Sequence, residues 1–459
     1  MIRRVLAALL VAGAVPAGAQ TFAIVGGTVA LGDGSEPIPN GMVVVQDGKI
    51  IAAGDVRMKL PADTQVIDAT GKWVTPGIVA GFSGLGLADV GFGAEGASDV
   101  KNEGPFSAAI DVSTEINPLD QPVGVNRADG VTRAIVAPAA GKSIFAGQGA
   151  VIDTGADMDP ITAARKFQFV ELGQDAAEKA GGSRASAHAL FRNALREASV
   201  LSRYGTPVVG SREAPGERER PVVRNPNESR IYSAQRPEDA LLTRFDAAAL
   251  VPVLKGQQYL LVHAERASDI LQVIDLRREF PSLKIVIVGA TEGWLVADQI
   301  ARSGIPVIAA AVNDLPATFE QIAATQSNVG RMRAAGVKVA IGMPGDNETH
   351  NLFMERQYAG NLVGLQKVPG ATGVTWGEAL AMITSRPAQA IGMGGEIGSL
   401  ARGNRADVVI WSGDPLEASS AAEQVYIDGV KQPLETHQTR LLERYRYLPR
   451  TDLPPAYRH

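Results

Sequence analysis

The feature that most constrains the fold is the alternation of apolar runs with amphipathic stretches in the second half of the chain. Apolar runs that predict β-strands recur at residues 259–263, 284–288, 306–312 and 337–341. Stretches that predict helices lie between them, at residues 268–280, 292–302 and 321–335. In the first of these helices Ile270, Val273 and Ile274 fall on one face. Such alternation indicates a parallel sheet, either an open doubly wound sheet or a closed barrel.

The N-terminal and C-terminal regions show a different pattern of short strands and turns. Apolar runs at residues 23–25, 42–45 and 50–52 are separated by turn residues. The Asp47-Gly48 pair predicts a tight hairpin, because both of its positions require a positive φ. Strand character returns at residues 406–411 and 425–427. We therefore expect a small β-domain built from both ends of the chain.

A helix start is encoded at residues 375–378, whose sequence is TWGE. The Thr375 hydroxyl can accept a hydrogen bond from the Glu378 amide while the Glu378 carboxylate reaches back to the Thr375 amide, which is a capping box. We expect a helix that begins there and ends near Pro387.

Length and composition narrow the class of protein. One barrel with an attached β-domain accommodates the 459 residues, of which 45% are hydrophobic, as in ordinary globular proteins. A formal net charge of -5 provides no extended positive field, so nucleic acid is not an expected partner. The expected partner is a small-molecule substrate or ligand. Because the chain has no cysteine, it has no disulfides, thiolate metal ligands or cysteine nucleophile.

The first residues have the three parts of an export signal. Arg3 and Arg4 precede an apolar run at residues 5–15, and residues 17–19 form an A-x-A cleavage site. The apolar run is shorter than the roughly 20 residues that cross a bilayer, so it does not predict a membrane anchor. We expect cleavage before Gln20, export to the periplasm and no anchor after cleavage.

Other catalytic patterns fail on their spacing. Gly141-Lys142-Ser143 resembles a phosphate-binding loop, but Val136 stands where the first glycine of that loop would be. No Gly-x-Ser-x-Gly elbow stands at a strand-to-helix junction, and five histidines leave few bases for a serine triad. Residues 211–239 are rich in charged residues and proline, which is typical of a solvated insertion or loop.

Three stretches resemble sequence patterns of the amidohydrolase superfamily. Residues 74–79 (VTPGIV) are similar to the segment before its first barrel strand, and residues 396–409 (EIGSLARGNRADVV) to its return to the β-sandwich. Residues 383–388 (ITSRPA) are similar to the segment before that return. The imidazolonepropionase-like periplasmic group is the closest in character. The resemblance implies an α/β fold, a distorted TIM-like (β/α)8 barrel with a composite β-sandwich built from N- and C-terminal segments.

The same resemblance implies a division of the chain. The expected parts are a signal peptide at 1–19, a composite sandwich at 20–73 plus 396–432, the barrel at 74–395 and a C-terminal tail at 433–459.

Most metal-binding positions that the resemblance implies are replaced here. Family members carry His-x-His after the first strand, whereas this chain has Phe82-Ser83-Gly84. A later histidine position falls near Gly289, and the usual aspartate of the last strand is Pro344. Phe82, Gly84, Gly289 and Pro344 all lack a side-chain atom that can bind a metal ion. We therefore predict that the usual binuclear metal site is largely lost.

Five residues remain as site candidates. His263 is the surviving metal-ligand candidate, and His350 is a weaker second one. Glu265 stands two residues beyond His263 and would point to the same side of the strand end. Glu265, Glu292 and Asp346 are candidates for substrate binding. Divalent zinc is the cofactor that these side chains would suit, although a catalytic zinc site needs three converging ligands.

Two functional hypotheses follow. The first is a hydrolase that acts on carbon-nitrogen bonds, other than peptide bonds, in small cyclic amide-like substrates. The second is a barrel without catalytic activity that binds a small molecule or serves as the partner subunit of an active amidohydrolase paralogue. Assembly with itself is a further possibility, and the sequence identifies no catalytic residue and no substrate.

Overall fold

A computed structural model describes residues 21–55, 58–60, 64–87, 104–204, 240–344 and 351–446. The predicted signal peptide, the charged segment at 211–239 and the candidates Asp346 and His350 lie outside these residues. Within the described ranges no helix is long and apolar enough to cross a membrane. The strands form two eight-stranded sheets, one from both ends of the chain and one from its middle.

The first sheet joins the two ends of the chain, as the strand pattern predicted. Its N-terminal strands are β1 (Phe22–Val29), β2 (Ile38–Gln46), β3 (Lys49–Gly54), β4 (Gln65–Asp68) and β5 (Trp73–Pro76). Its C-terminal strands are β14 (Val408–Trp411), β15 (Ala422–Ile427) and β16 (Val430–Lys431). Strand β5 connects the two sets, because it pairs with β1 on one side and with β14 on the other. The Asp47-Gly48 hairpin is confirmed, with φ of 50° and 73°.

This sheet curls back on itself. Strands β5 and β14 separate β1 from β15, and neighbouring strands lie about 4.8 Å apart. The rings of Phe22 in β1 and Tyr426 in β15 nevertheless lie 4.6 Å apart, centroid to centroid. A flat sheet would hold these rings far apart. The curl encloses an apolar cluster to which both chain ends contribute, in agreement with the expected composite β-domain.

The second sheet is a nearly closed barrel. Its strands, in spatial as well as chain order, are β6 (Ile78–Ser83), β7 (Val131–Val136), β8 (Phe145–Asp153), β9 (Ile161–Glu171), β10 (Tyr259–Ala264), β11 (Lys284–Gly289), β12 (Val307–Ala309) and β13 (Val339–Ile341). Two residues after β13, the Met343 amide donates to the Phe82 carbonyl of β6 at 3.2 Å. This bond brings the two edge strands, β6 and β13, together. The expected distorted (β/α)-barrel with an attached β-domain is confirmed.

The distortion is a reversed strand. Strands β9 to β13 run parallel, as the alternation predicted, and β6 is parallel to β7. Strand β8 is antiparallel to both of its neighbours, β7 and β9. These three strands therefore form a meander with no helical crossover between them, because antiparallel strands can be joined by short connections.

Helices surround the barrel and follow the composite sheet. They are α1 (Gln121–Ala128), α2 (Gln174–Lys179), α3 (Arg184–Tyr204), α4 (Arg244–Leu254), α5 (Ala267–Glu279), α6 (Ala297–Ser303), α7 (Asn328–Ala334), α8 (Met354–Gly364), α9 (Trp376–Met382), α10 (Ser385–Ala390) and α11 (His437–Tyr445). Single 3-10 turns occur at Val112–Thr114, Gly293–Val296 and Leu365–Lys367. The capping box predicted at Thr375 is present.

Two helix predictions were wrong in extent. The helix predicted at 321–335 exists only as α7, and residues 310–327 form an irregular segment, called here the mouth loop. Its backbone is bonded elsewhere, since the Ala323 amide donates to the Glu292 carboxylate and the Ala323 carbonyl accepts from the Trp294 indole. Pro387 lies within the first turn of α10 rather than beyond a helix end, and a first-turn residue needs no amide donor.

A buried ion-pair cluster fastens the barrel to the composite sheet. Arg133 of β7 has no exposed side-chain surface, and its guanidinium donates twice to Asp407, at 2.8 and 3.0 Å. Asp428 accepts at 2.9 Å and Asp153 at 3.3 Å. Burial disfavours the charged guanidinium, but the three carboxylates outweigh it and raise the pKa of Arg133. Asp407 precedes β14 and Asp428 lies between β15 and β16, so one side chain connects both sheets.

We expect Arg133→Met to lower the free energy of unfolding by about 3–5 kcal/mol, because it leaves buried carboxylates without their cation. Chemical denaturation monitored by circular dichroism measures this change. Arg440→Met is the matched control, since the Arg440–Glu435 pair is 65% and 63% exposed and such pairs contribute about 0–1 kcal/mol. Equal losses in the two variants would contradict the role given to Arg133.

Candidate functional site

The candidate site lies at the C-terminal ends of barrel strands β9 and β10. Glu171 is the last residue of β9, and the parallel register places it beside His263 of β10. Glu265 follows two residues after His263 and lies on the same side, as the sequence predicted. The C-terminal mouth is the face on which barrels of this type position their reactive groups.

The three side chains form a carboxylate–imidazole–carboxylate triad. His263 Nδ1 lies 2.7 and 2.8 Å from the two Glu171 carboxylate oxygens, and His263 Nε2 lies 3.0 Å from Glu265 Oε1. Glu171 and His263 are 14% and 15% exposed, and Glu265 is 3% exposed. Each ring nitrogen therefore faces a hydrogen-bond acceptor. Only the imidazolium form carries a proton on both nitrogens and can donate to both acceptors.

The pKa values reflect this arrangement. Burial lowers the pKa of His263, but the charges and hydrogen bonds of Glu171 and Glu265 outweigh burial and raise it well above its ordinary value. Burial raises the pKa of Glu265, whereas its hydrogen bond and charge interaction with His263 outweigh that effect and lower it. We therefore assign an imidazolium to His263 and an ionised carboxylate to Glu265 at neutral pH.

Backbone amides and two glycines fix the carboxylates. The Thr291 amide donates to Glu265 Oε2 at 2.8 Å, and the Gly173 amide donates to Glu171 Oε1 at 2.6 Å. Gly289, the last residue of β11, has a φ of +92°, and a Cβ built on it would lie 2.6 Å from Glu265 Oε1. A side chain at this position would push the carboxylate away from His263. Gly289 thus leaves room for the triad.

An aromatic pair lies at the position where the resemblance implies the first metal ligands. Phe82 packs edge-on against Phe169 of β9 with ring centroids 5.0 Å apart, and both rings join the apolar cluster inside the barrel. Among the described residues no three histidine, aspartate or glutamate side chains converge on a common ion position. Since both His263 nitrogens are bonded to carboxylates, the described residues do not fit the divalent metal centre that the resemblance implies.

The other candidates from the sequence stay predictions. The Glu292 carboxylate accepts from the Ala267 and Ala323 amides and so connects two loops at the barrel mouth. Asp346 and His350 lie outside the described residues, so their roles stay predictions. Glu171 was missed by the sequence reasoning, although a strand-like run, FQFV, directly precedes it.

A second charged group adjoins the triad. Arg184, the first residue of α3, pairs with Asp269 and lies 3.0 Å from Glu320 Oε2. His188 Nε2 lies 3.5 Å from Asp269. Glu320 belongs to the mouth loop and is 6% exposed. Within the described part of the chain, the buried or half-buried carboxylates of the mouth therefore include those of Glu171, Glu265, Asp269 and Glu320.

Gly289→Ala should destabilise the fold and separate Glu265 from His263, because the new Cβ meets the carboxylate. Gly304→Ala is the matched control, since Gly304 also has a positive φ of +68° but no atom within 4 Å of a built Cβ. Backbone strain alone costs about 1–2 kcal/mol in both variants. We expect urea denaturation to show a larger loss for Gly289→Ala, and equal losses would argue against a close contact with Glu265.

The triad should make stability depend on pH in the alkaline range. A histidine whose pKa is raised in the folded state adds stability that is fully present below its unfolded pKa of about 6.5 and is lost as pH rises through the folded pKa. The difference in unfolding free energy between the native chain and His263→Asn should therefore shrink with rising pH. Denaturation at a series of pH values measures it, and a difference that grows with pH would refute an imidazolium at this position.

Comparison with known proteins agrees with this architecture. The sequence model of the amidohydrolase family named Amidohydro_3 matches residues 296–431. Amidohydrolase tasK of Hapsidospora irregularis is 25% identical over 429 residues, which cover 86% of this chain and 39% of that protein. The chain thus spans about two fifths of the length of this relative.

Solved structures share the fold. An amidohydrolase from Thermotoga maritima MSB8 superimposes with a TM-score of 0.71 at 23% identity, over 89% of this chain and 99% of the other. Molinate hydrolase superimposes with a TM-score of 0.50 at 18% identity, over 95% and 99% of the two chains. Together with the barrel and the composite sheet, the matched family segment and these likenesses support a place for the chain in the amidohydrolase superfamily.

Proposed function

We propose that the chain hydrolyses carbon-nitrogen bonds, other than peptide bonds, in small cyclic amide-like molecules at the barrel mouth. The observation that supports this proposal is the Glu171–His263–Glu265 triad at the ends of neighbouring barrel strands. It brings proton donors and acceptors together where barrels of this class perform their chemistry.

The two carboxylates have different surroundings and therefore different proposed roles. Glu265 is more deeply buried and accepts from the Thr291 amide, so it orients the imidazolium. Glu171 is more exposed and accepts from His263 Nδ1. A substrate carbonyl that accepts the Nδ1 proton in place of Glu171 would free that carboxylate to act as a base.

Hydrolysis then requires one water molecule. Glu171 accepts a proton from water as the water oxygen bonds to the amide carbon, and the His263 imidazolium stabilises the negative charge that develops on the carbonyl oxygen. The protonated Glu171 delivers its proton to the departing nitrogen as the carbon-nitrogen bond breaks. For a cyclic amide the product is one ring-opened molecule that carries a carboxylic acid and an amine, and the triad returns to its starting protonation.

We further propose that the binuclear metal centre has been lost in this chain. Phe82, Gly289 and Pro344 stand where the resemblance implies ligands, and the Phe82 ring packs against Phe169. These residues also support a second candidate function, a barrel without catalytic activity that pairs with an active paralogue.

Localisation and assembly are part of the proposal. We propose export to the periplasm, on the strength of the signal pattern at residues 1–19. The expected ligand is a small molecule, and the expected macromolecular partner is a second copy or an amidohydrolase paralogue.

The test measures turnover of hydantoin-like and imidazolone-like substrates together with the metal content of the same purified sample. We expect turnover with less than about a tenth of an equivalent of metal, and a loss of about 10²–10⁴-fold in kcat for Glu171→Gln. Glu279→Gln, which changes an exposed ion pair on α5, should leave kcat unchanged.

Three outcomes are decisive. A folded chain that turns over none of these substrates would refute the hydrolase and favour the alternative. A stoichiometric metal whose removal abolishes turnover would refute metal loss. Equal activity of Glu171→Gln and Glu279→Gln would remove Glu171 from the chemistry.

A further inference from the structure

We propose that Arg184 binds a ligand carboxylate at the barrel mouth, and that Glu320 of the mouth loop occupies this position until such a ligand displaces it. The inference deepens the proposed function by naming a chemical group of the ligand. It rests on that function only for the location of the substrate, since binding can be measured without turnover.

Arg184 has two carboxylate partners with different structural support. Asp269 lies in the first turn of α5 and its backbone amide is bonded to the Arg266 carbonyl, so a helix holds it in place. Glu320 lies in the mouth loop, where no helix or strand fixes the backbone. The Glu320 contact is therefore the one that can be exchanged at low cost, while Asp269 keeps the guanidinium in position.

The Glu320 carboxylate lies next to the triad. A Cβ built on Gly173 would be 3.1 Å from Glu320 Oε1, 2.8 Å from Glu171 Oε1 and 3.3 Å from His263 Cε1. The three side chains thus surround one point of the backbone. A ligand carboxylate that replaced the Glu320 carboxylate would place the rest of a small molecule beside Glu171 and His263.

The attachments of the mouth loop suit such a displacement. Phe319 and Ile322, which flank Glu320, are 88% and 68% exposed, so few apolar contacts hold the loop against the barrel. Beyond them, Ala323 is bonded to Glu292 and to the indole of Trp294. A movement of Glu320 should therefore change the surroundings of Trp294. The Arg331 guanidinium carbon lies over the Trp294 ring, 4.5 Å from its centroid.

Charge balance selects the ligand class. The described part of the mouth already contains several carboxylates, so an added anion would be disfavoured if all of them stayed in place. An incoming carboxylate that takes the place of Glu320 leaves the charge around Arg184 unchanged, because Glu320 leaves as the ligand arrives. A neutral ligand cannot compete for the guanidinium in this way. The expected ligand is a small carbonyl compound with a carboxylate a few bonds away.

The probe is 4-oxopentanoate, which has a carbonyl and a carboxylate but no bond that the proposed hydrolysis can break. Its matched neutral compound is 5-hydroxypentan-2-one, in which a hydroxymethyl group replaces the carboxylate. Titration of the full chain at constant ionic strength is followed by tryptophan fluorescence, with Trp294→Phe as the control that assigns the signal. Hydrogen exchange of peptides from residues 312–327 reports the loop movement separately.

We expect saturable binding of 4-oxopentanoate with faster exchange in the mouth loop, and none of the neutral compound. Arg184→Gln should weaken binding about tenfold or more, because it removes a charged hydrogen-bond donor. Glu320→Gln should tighten binding, because it weakens the internal competitor for Arg184. Arg192→Gln, which removes a partly exposed ion pair with Glu279 from the middle of the same helix, is the control for α3.

Equal binding of the two compounds, or weaker binding to Glu320→Gln than to the native chain, would overturn the proposal. If Arg184→Gln fails to fold, Glu320→Gln and Arg184→Lys carry the test, and Arg184→Lys should bind less tightly than the native chain while retaining preference for the carboxylate. Failure of hydrolysis with normal binding would refute the proposed function alone.

Discussion

The attachment of the barrel to the composite sheet depends on one buried guanidinium. Arg133 extends from barrel strand β7, and its acceptors Asp407 and Asp428 belong to the C-terminal part of the chain. A buried cation without partners would be prohibitively costly, so the C-terminal strands must be in place for β7 to be buried as it is. The barrel and the sheet are therefore coupled electrostatically, in addition to an apolar cluster to which both contribute, the composite sheet through Val409, Trp411 and Val425.

The triad solves a related electrostatic problem at the other end of the barrel. The ends of β9 and β10 bring Glu171 and Glu265 close together, one half-buried and the other buried. Two like charges in these positions would repel each other. In the superfamily such a position is expected to hold a metal ion. Here the His263 imidazolium lies between the carboxylates and supplies a single positive charge, and Gly289 leaves the room that this arrangement needs. The chemistry proposed for the site is accordingly proton transfer by side chains.

The sequence predicted those parts of the molecule that local patterns determine. Alternating apolar and amphipathic stretches, the Asp47-Gly48 hairpin and the Thr375 capping box each depend on neighbouring residues, and all are found in the structure. The family resemblance then resolved the choice between an open sheet and a barrel, and it led to His263 and Glu265.

What the sequence could not predict depends on contacts between distant segments. Glu171 has no motif around it and becomes a site residue only because the register of β9 and β10 sets it beside His263. The sequence predicts a helix at residues 321–327 of the mouth loop, but tertiary hydrogen bonds to Glu292 and Trp294 replace the helical ones. Similarly, the reversal of β8 is determined by pairing on both of its edges, which periodicity does not report.

The reversed strand β8 has a consequence for how the chain folds. The β7–β8–β9 meander is held by pairings between residues close in sequence, whereas the composite sheet must bring together β5 and β14, which lie more than three hundred residues apart. Contacts of low sequence separation form fastest because they close the shortest loops. We expect the meander to act as an early folding nucleus, and the carboxylates that neutralise Arg133 to arrive from the C-terminal segment last. Until they do, the guanidinium stays hydrated. We therefore expect the part of the barrel around Arg133 to stay open to solvent during the late stage of folding.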